Sequence, residues 1–414
     1  MENNTSDTLK PFDAAGLTDR ALAIRDAVHP KSVSATDVGS LFHDIVAFCR
    51  DVHGFIERLA GTTIPQLRDE ISAETRSLRE QDISNIVRFL AHAHPESAAA
   101  LASHLNGAQI AAAFSPEEIK HLFPDIVAIC EPGDGWFMFG KHSGNNHRVC
   151  SAAVQCKNGM LLRKDCPEGL DFISVWSAEK VHYANLAGYK RFGIAHNLNE
   201  EGPAGTPHID EVARSFGAPL RAQCLRVGEI RGCVNMGGLQ SMNFTFSVPW
   251  TCRIHGDWSE ASNVYSWYCT FGHWDLPGSG IAQLPAALPT AQAEMTAAFV
   301  NCHSIRRFPD IDLQNNSDWM TFAAYRKEQD DTSPVHARIK NIGRKRTNPS
   351  GLALNLLRAW DYDDMVYSLI TASVHGESVM RLHMHPDAIA RLTQADRALV
   401  SEKNITLVAS KYIS

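Results

Sequence analysis

The stretch Ser241–Trp250 constrains this chain most. Met242, Phe244, Phe246, Val248 and Trp250 alternate with Ser241, Asn243, Thr245 and Ser247. A period of two sends successive side chains to opposite faces of a strand, giving one dry face and one wet face. Such a strand needs a sheet beside it and a second layer over its dry face. Asn263–Phe271 is the expected partner strand.

The pattern upstream is different. Thr36 can cap a helix whose apolar residues Leu41, Ile45, Val46, Cys49, Val52, Phe55, Ile56 and Leu59 recur at intervals of three and four. Further helices are expected at Ile64–Leu78, at Ile83–Ala93 and from Pro95 to about Asn106-Gly107. Ser115-Pro116-Glu117-Glu118 reads as a capping box with proline at the first helical position. Pro124 ends that regime. After it come short apolar runs with turn signals between them, at Asp125–Cys130, Trp136–Phe139, Val149–Cys156, Met160–Arg163, Leu170–Trp176 and Leu220–Val227. The first two read as strands joined by the Pro132-Gly133-Asp134-Gly135 turn. Helices are expected at Ala178–Leu186, Ile209–Phe216, Thr290–Cys302, Asp318–Lys327 and Gly351–Val374, and a last strand at Ile405–Ala409. The expected class is α+β. Residues 1–123 form a helical subdomain with a docking or regulatory role. Residues 124–414 form a mixed, largely antiparallel sheet body with flanking helices, and that body carries the site. No repeat of 20–50 residues stands out.

Composition excludes several classes. With 44% hydrophobic and 21% charged residues over 414 positions, this is a folding sequence and not a disordered one. The formal net charge of -7 argues against broad nucleic-acid binding or an anionic membrane surface. No apolar run reaches the roughly 18 residues of a membrane span, and no signal sequence is visible. The ten cysteines are scattered, so reduced thiols and a cytoplasmic location are expected.

Two groups of residues carry the chemistry. Cys252, His255, Cys269 and His273 are zinc-type ligands in two closely spaced pairs. They lie among Trp250, Trp258, Trp267, Tyr268, Phe271 and Trp274, so a buried aromatic core with two thiols is the competing reading. Cys150 follows a loop rich in Gly, Asn and cations, from Lys141 to Arg148. Nearby positive charge favours a thiolate, and a thiol nucleophile needs a histidine, for which His182 and His196 are the candidates, with Asp210 beside them. His383-Met384-His385, the acidic Asp310/Asp312 and Asp361–Asp364, and the basic run Arg338, Lys340, Arg344, Lys345, Arg346 are weaker groups. Asp361 reads as a helix cap. There is no G-x-S-x-G or H-E-x-x-H motif.

The sequence therefore points to an intracellular enzyme of hydrolytic or group-transfer type. It would use a Cys/His site that holds zinc and act on a small-molecule or protein substrate. The alternative is a non-catalytic ligand- or protein-binding protein that uses an aromatic sheet face.

Overall fold

The computed structural model describes Leu22, Ser40, residues 42–47, Asn85, Arg88, and residues 104–131, 133–143, 147–194, 208–223, 226–244, 251–265, 267, 269–273, 279–290, 295–314, 333–342, 351–373 and 379–411. Contacts divide the chain into Met1–Glu80 and Gln81–Ser414. In the first unit residues 42–47 are helical, within the helix expected there. The expected helix at Ile64–Leu78 lies outside the described residues, as does the one at Asp318–Lys327. The division falls upstream of Pro124 because two helices of the expected front subdomain pack into the body.

Those helices are α1 (Gly107–Ala113) and α2 (Pro116–Leu122). Both begin with capping boxes, since Asn106 accepts from the Gln109 N–H and Ser115 from the Glu118 N–H. Asn106 thus starts a helix instead of ending one, as its short acceptor side chain suits an N-cap. Ile110, Ile119 and Leu122 bury against Ile126, Ile129 and Met160 of the first sheet.

The chain then winds between two sheets. Strands β1 (Ile126–Glu131), β4 (Met160–Leu162), β6 (Lys180–Asn185), β8 (Glu229–Val234), β10 (Cys252–Ile254) and β11 (Ile281–Gln283) form a six-stranded sheet in the order β11-β10-β8-β6-β1-β4. Strands β2 (Trp136–Ser143), β3 (His147–Gln155), β5 (Phe172–Ser177), β7 (Arg191–Ile194) and β9 (Ser241–Asn243) form a five-stranded sheet in the order β3-β2-β5-β7-β9. From β4 to β10 each strand enters the sheet its predecessor left. Among the described strands, antiparallel pairing is confined to β1 with β4 and β6, and to β2 with β3 and β5. Beyond these, β6, β8, β10 and β11 lie parallel, as do β5, β7 and β9. The described body is thus an α+β fold built around a parallel coil, one strand per sheet per turn.

Two columns lock the turns together. Inside, Phe192 packs edge-on to Phe244 at 5.6 Å, Phe244 stacks on Phe271 at 6.0 Å, and Phe271 stacks on Phe299 at 5.3 Å. Each ring comes from a successive turn. At one corner the Asn185 Oδ1 accepts from the Ala187 N–H at 3.1 Å and from the Asn235 Nδ2 of the next turn at 2.9 Å. Asn235 has left-handed backbone, φ 57°, which asparagine tolerates well.

The coil continues in short pieces. β12 (Ile311–Asp312) pairs in parallel with β13 (Ile339–Lys340), and β14 (Leu352–Ala353), β15 (Met380–Met384) and β16 (Ile405–Ala409) form a parallel sheet. Helix α4 (Tyr362–Thr371) closes over β13, where the Ser368 Oγ accepts from the Ile339 N–H at 2.9 Å. Short helices α5 (Pro386–Ala390) and α6 (Gln394–Glu402) precede β16. On the other side, α3 (Ile209–Ser215) buries Ile209, Val212 and Ala213 against the outer face of the five-stranded sheet. Among the described residues no helix is long and apolar enough to cross a membrane.

The local expectations that fail do so at the coil. Residues 180–185 are strand instead of helix, because neighbours on both sides outweigh helix propensity. The strand expected at Leu220–Val227 begins instead at Glu229, with a 3-10 turn at Arg221–Gln223. Residues 295–301 turn between strands instead of forming a helix, and residues 352–353 are strand ahead of α4. β1 and β2 belong to different sheets and do not pair. Of Ser241–Trp250 only Ser241–Asn243 is described as strand, and residues 245–250 lie outside the described residues. Its strand partner is β7. Among the described residues the segment Asn263–Phe271 links to it only at Thr270, whose carbonyl accepts from the Phe244 N–H at 2.7 Å and whose Oγ1 donates to the Met242 carbonyl at 3.3 Å.

Candidate functional site

Alternation along β10 decides the fate of the first Cys/His group. Cys252 and Ile254 point into the core while Arg253 and His255 point out. Positions three apart on a strand face opposite ways, so Cys252 and His255 cannot share an ion. Burial pushes the Cys252 thiol well above its ordinary range. Cys269 is buried beside Ala297, Val300 and Ala353, with left-handed backbone at φ 50°. The His273 carbonyl accepts from the Asn301 Nδ2 at 3.2 Å. Among the described residues only His336, Asp361 and Asp364 bring three His, Cys, Asp or Glu ligand atoms within 4.8 Å of one another. The sheet geometry therefore does not assemble Cys252, His255, Cys269 and His273 into a zinc site.

The aromatic residues of this segment are also spoken for. Trp258, Trp267 and Phe271 are fully buried, with Trp267 stacked on Phe271 at 5.9 Å. They are core, not a ligand-binding face. Trp250, Tyr268 and Trp274 lie outside the described residues.

The thiol group is likewise divided. Cys150 on β3 is buried with Met138, Trp176 and the apolar side of α3, on the outer face of the five-stranded sheet. His182 lies on the outer face of the other sheet, where its Nε2 meets the Glu131 Oε2 at 3.1 Å. The core cluster runs between them. His196 lies outside the described residues, and Asp210 accepts from the Arg221 N–H at 2.9 Å. Elsewhere, burial pushes the Cys233 thiol up to about 12 and the Cys302 thiol also upward, the opposite of nucleophile activation.

What the structure does assemble is a polar row on the outer face of the six-stranded sheet, beside the part that α1 and α2 cover. Parallel registry sets Lys180 beside Glu229, Glu229 beside Arg253 and Arg253 beside Gln283, while antiparallel registry sets Glu131 beside Lys180. The next outward positions are His182, Arg231 and His255. Glu131 takes the Lys180 Nζ at 3.4 Å as well as His182. Arg231 pairs with Glu229 at 2.8 Å, and the His255 Nδ1 meets the Gln283 Nε2 at 3.2 Å. The His255 Nε2 is buried with no hydrogen-bond partner among the described residues. Two residues singled out from sequence, His182 and His255, thus share this face. Glu131, Arg231, Arg253 and Gln283 were missed, and the available signal was the alternation Glu229-Ile230-Arg231 and Cys252-Arg253-Ile254-His255. At the coil corner lies a cleft of about 460 Å³ lined by Ala187, Gly188, Asn235, Gly237, Gly238 and Glu260.

The row makes a pH prediction. Burial lowers the His182 pKa, with Lys180 and Arg231 adding to it, and outweighs the raising effect of Glu131. Burial also lowers that of His255, aided by Arg231 and Arg253 and opposed by Glu229. Glu131 is lowered in turn, first by its hydrogen bond to His182 and then by Lys180. A depressed histidine favours its neutral form in the folded state. Its stabilising contribution is therefore full above the unfolded value of about 6.5 and is lost as pH falls through the folded value. Melting temperature is expected to fall between pH 7 and pH 5, and His182→Gln is expected to flatten that fall. A steeper fall in the variant would contradict this account.

The weaker groups are mostly structural. Asp361 caps α4, accepting from the Asp364 N–H at 3.1 Å. Arg338 pairs with Asp364 at 2.7 Å and Lys340 with Asp310 at 3.1 Å, so two cations of the basic run are neutralised. Arg344, Lys345 and Arg346 lie outside the described residues. His385 caps α5, its Nδ1 accepting from the Asp387 N–H, and on β15 Leu382 and Met384 are buried while His383 is half-buried. Compared with family models, curated proteins and solved structures, the chain matches none of the three.

Proposed function

We propose that this chain is a non-catalytic protein-binding scaffold, and that the polar row of the six-stranded sheet is the surface that meets its partner. The observation that carries this reading is the row itself. Parallel strands repeat at one spacing, about 4.8 Å, so their outward side chains form a flat, ordered array. Coils of this kind present extended faces for macromolecular partners. Lys180, Arg231 and Arg253 with Glu131 and Glu229 offer paired charges that fix register and discriminate partners more than they add raw affinity. The separation of the thiols from the histidines weighs against the hydrolytic reading.

The test is reversal of one charge at the centre of the row. Arg231 is half exposed, its side chain 50% accessible, so Arg231→Glu leaves the core intact. Affinity for a cognate partner is expected to fall by roughly tenfold or more with melting temperature nearly unchanged. Unchanged affinity would overturn the reading.

A further inference from the structure

We propose that His336, Asp361 and Asp364 form a binding site for one divalent first-row transition ion, of the zinc or manganese class. This goes beyond the scaffold reading and does not depend on it. The three residues come from two turns of the coil. His336 precedes β13, and Val335 bridges in parallel to Trp360, which brings the start of α4 alongside. The His336 Nδ1 lies 3.3 Å from the Asp364 Oδ2 and 3.9 Å from the Asp361 Oδ2. Ligand atoms about 2.0–2.2 Å from a common ion stand roughly 3.0–3.5 Å apart, so a small ring rotation completes the set.

Each carboxylate is already oriented. The Asp361 Oδ1 accepts from the Asp364 N–H at 3.1 Å, leaving Oδ2 toward the imidazole. The Asp364 Oδ1 accepts from the Arg338 Nε at 2.7 Å, leaving its Oδ2 toward the same point. Arg338 is itself held over the Tyr367 ring at 5.3 Å. Outer partners that tie off one oxygen and aim the other are what ligating carboxylates need. The side chains of His336, Asp361 and Asp364 are 40%, 33% and 10% exposed, so one side stays open to water as further ligand. An imidazole with two carboxylates suits a transition ion better than calcium or magnesium, which prefer all-oxygen sets. The Arg338 charge opposes any cation there, which favours the ion that bonds most strongly to the imidazole.

The experiment is calorimetric titration of Zn²⁺ into the chelator-stripped full chain, with Co²⁺ absorption as a second readout. One saturable equivalent is expected. Asp361→Asn preserves the helix cap, since asparagine caps as well as aspartate, and removes only the anionic ligand. That variant and His336→Gln are each expected to weaken binding by roughly tenfold or more at unchanged melting temperature. The Co²⁺ spectrum is expected to change with His336→Gln. No saturable binding would overturn the proposal. So would affinity equal to the parent's in both variants, which would put the ion elsewhere, for example on cysteine thiols.

Discussion

Phe271→Ala is expected to be among the most damaging single substitutions in the coil, lowering stability by about 3–5 kcal/mol. Phe271 is fully buried and its ring touches three others, Phe244, Trp267 and Phe299. Its two neighbours in the column, Phe244 and Phe299, belong to the turns before and after it. Removing the middle ring leaves a cavity between turns that stiff backbone on either side cannot close. The stacked geometry adds to the simple area effect. Urea denaturation measures it. A midpoint shift worth less than about 1 kcal/mol would mean the turns do not stack through this column.

Gly193→Ala is expected to cost as much or to prevent folding. Gly193 lies in the middle of β7, paired with Asn243 of β9. A Cβ there would stand 1.8 Å from the Asn243 carbonyl oxygen. The obstacle is backbone of the neighbouring strand, which cannot swing aside as a side chain can. Relief would need the two strands to separate and lose their ladder. Strain of that kind exceeds the roughly 1–3 kcal/mol of ordinary overpacking. Soluble yield and melting temperature report it, and a variant as stable as the parent would contradict the β7–β9 pairing.

How much of this was legible from sequence follows from the coil. Strands bounded by turn residues were readable. β1, β3, β4, β5 and β16 fall where apolar runs lie between Pro, Gly, Asn or Asp. Caps were readable too, because Ser115 with Glu118 and Asp361 with Asp364 act locally. The coil itself was not, since its turns differ in length. From Lys180 to Glu229 is 49 positions, from Glu229 to Cys252 is 23, and from Cys252 to Ile281 is 29. A repeat defined by stacking but interrupted by unequal loops leaves no fixed period to detect. β10 and β11 hold three residues each, too few for periodicity to register.

The same cause explains the site. Cys252 and His255 looked like a ligand pair because spacing was judged without knowing the backbone. On a strand that spacing separates them across the sheet. His182 was read as a partner for Cys150, but two sheets and a core lie between. The row that exists is made of residues far apart in sequence, from Glu131 to Gln283, and strand registry aligns them, antiparallel between Glu131 and Lys180 and parallel beyond. The His336–Asp361–Asp364 group is similar. Its carboxylates were visible as an acidic run, yet the histidine comes from the preceding turn of the coil.

The central claim is that the polar row on the outer face of the six-stranded sheet, beside α1 and α2, is where this protein meets its partner. Site-specific photo-crosslinking tests it most directly. A photoreactive residue replaces Gln283 at the end of the row, and in a second protein replaces Ser151, exposed on β3 of the other sheet. The account predicts one discrete adduct from position 283, abolished by Arg231→Glu, and none from position 151. An adduct from position 151 alone, or one from position 283 that Arg231→Glu leaves untouched, would contradict it.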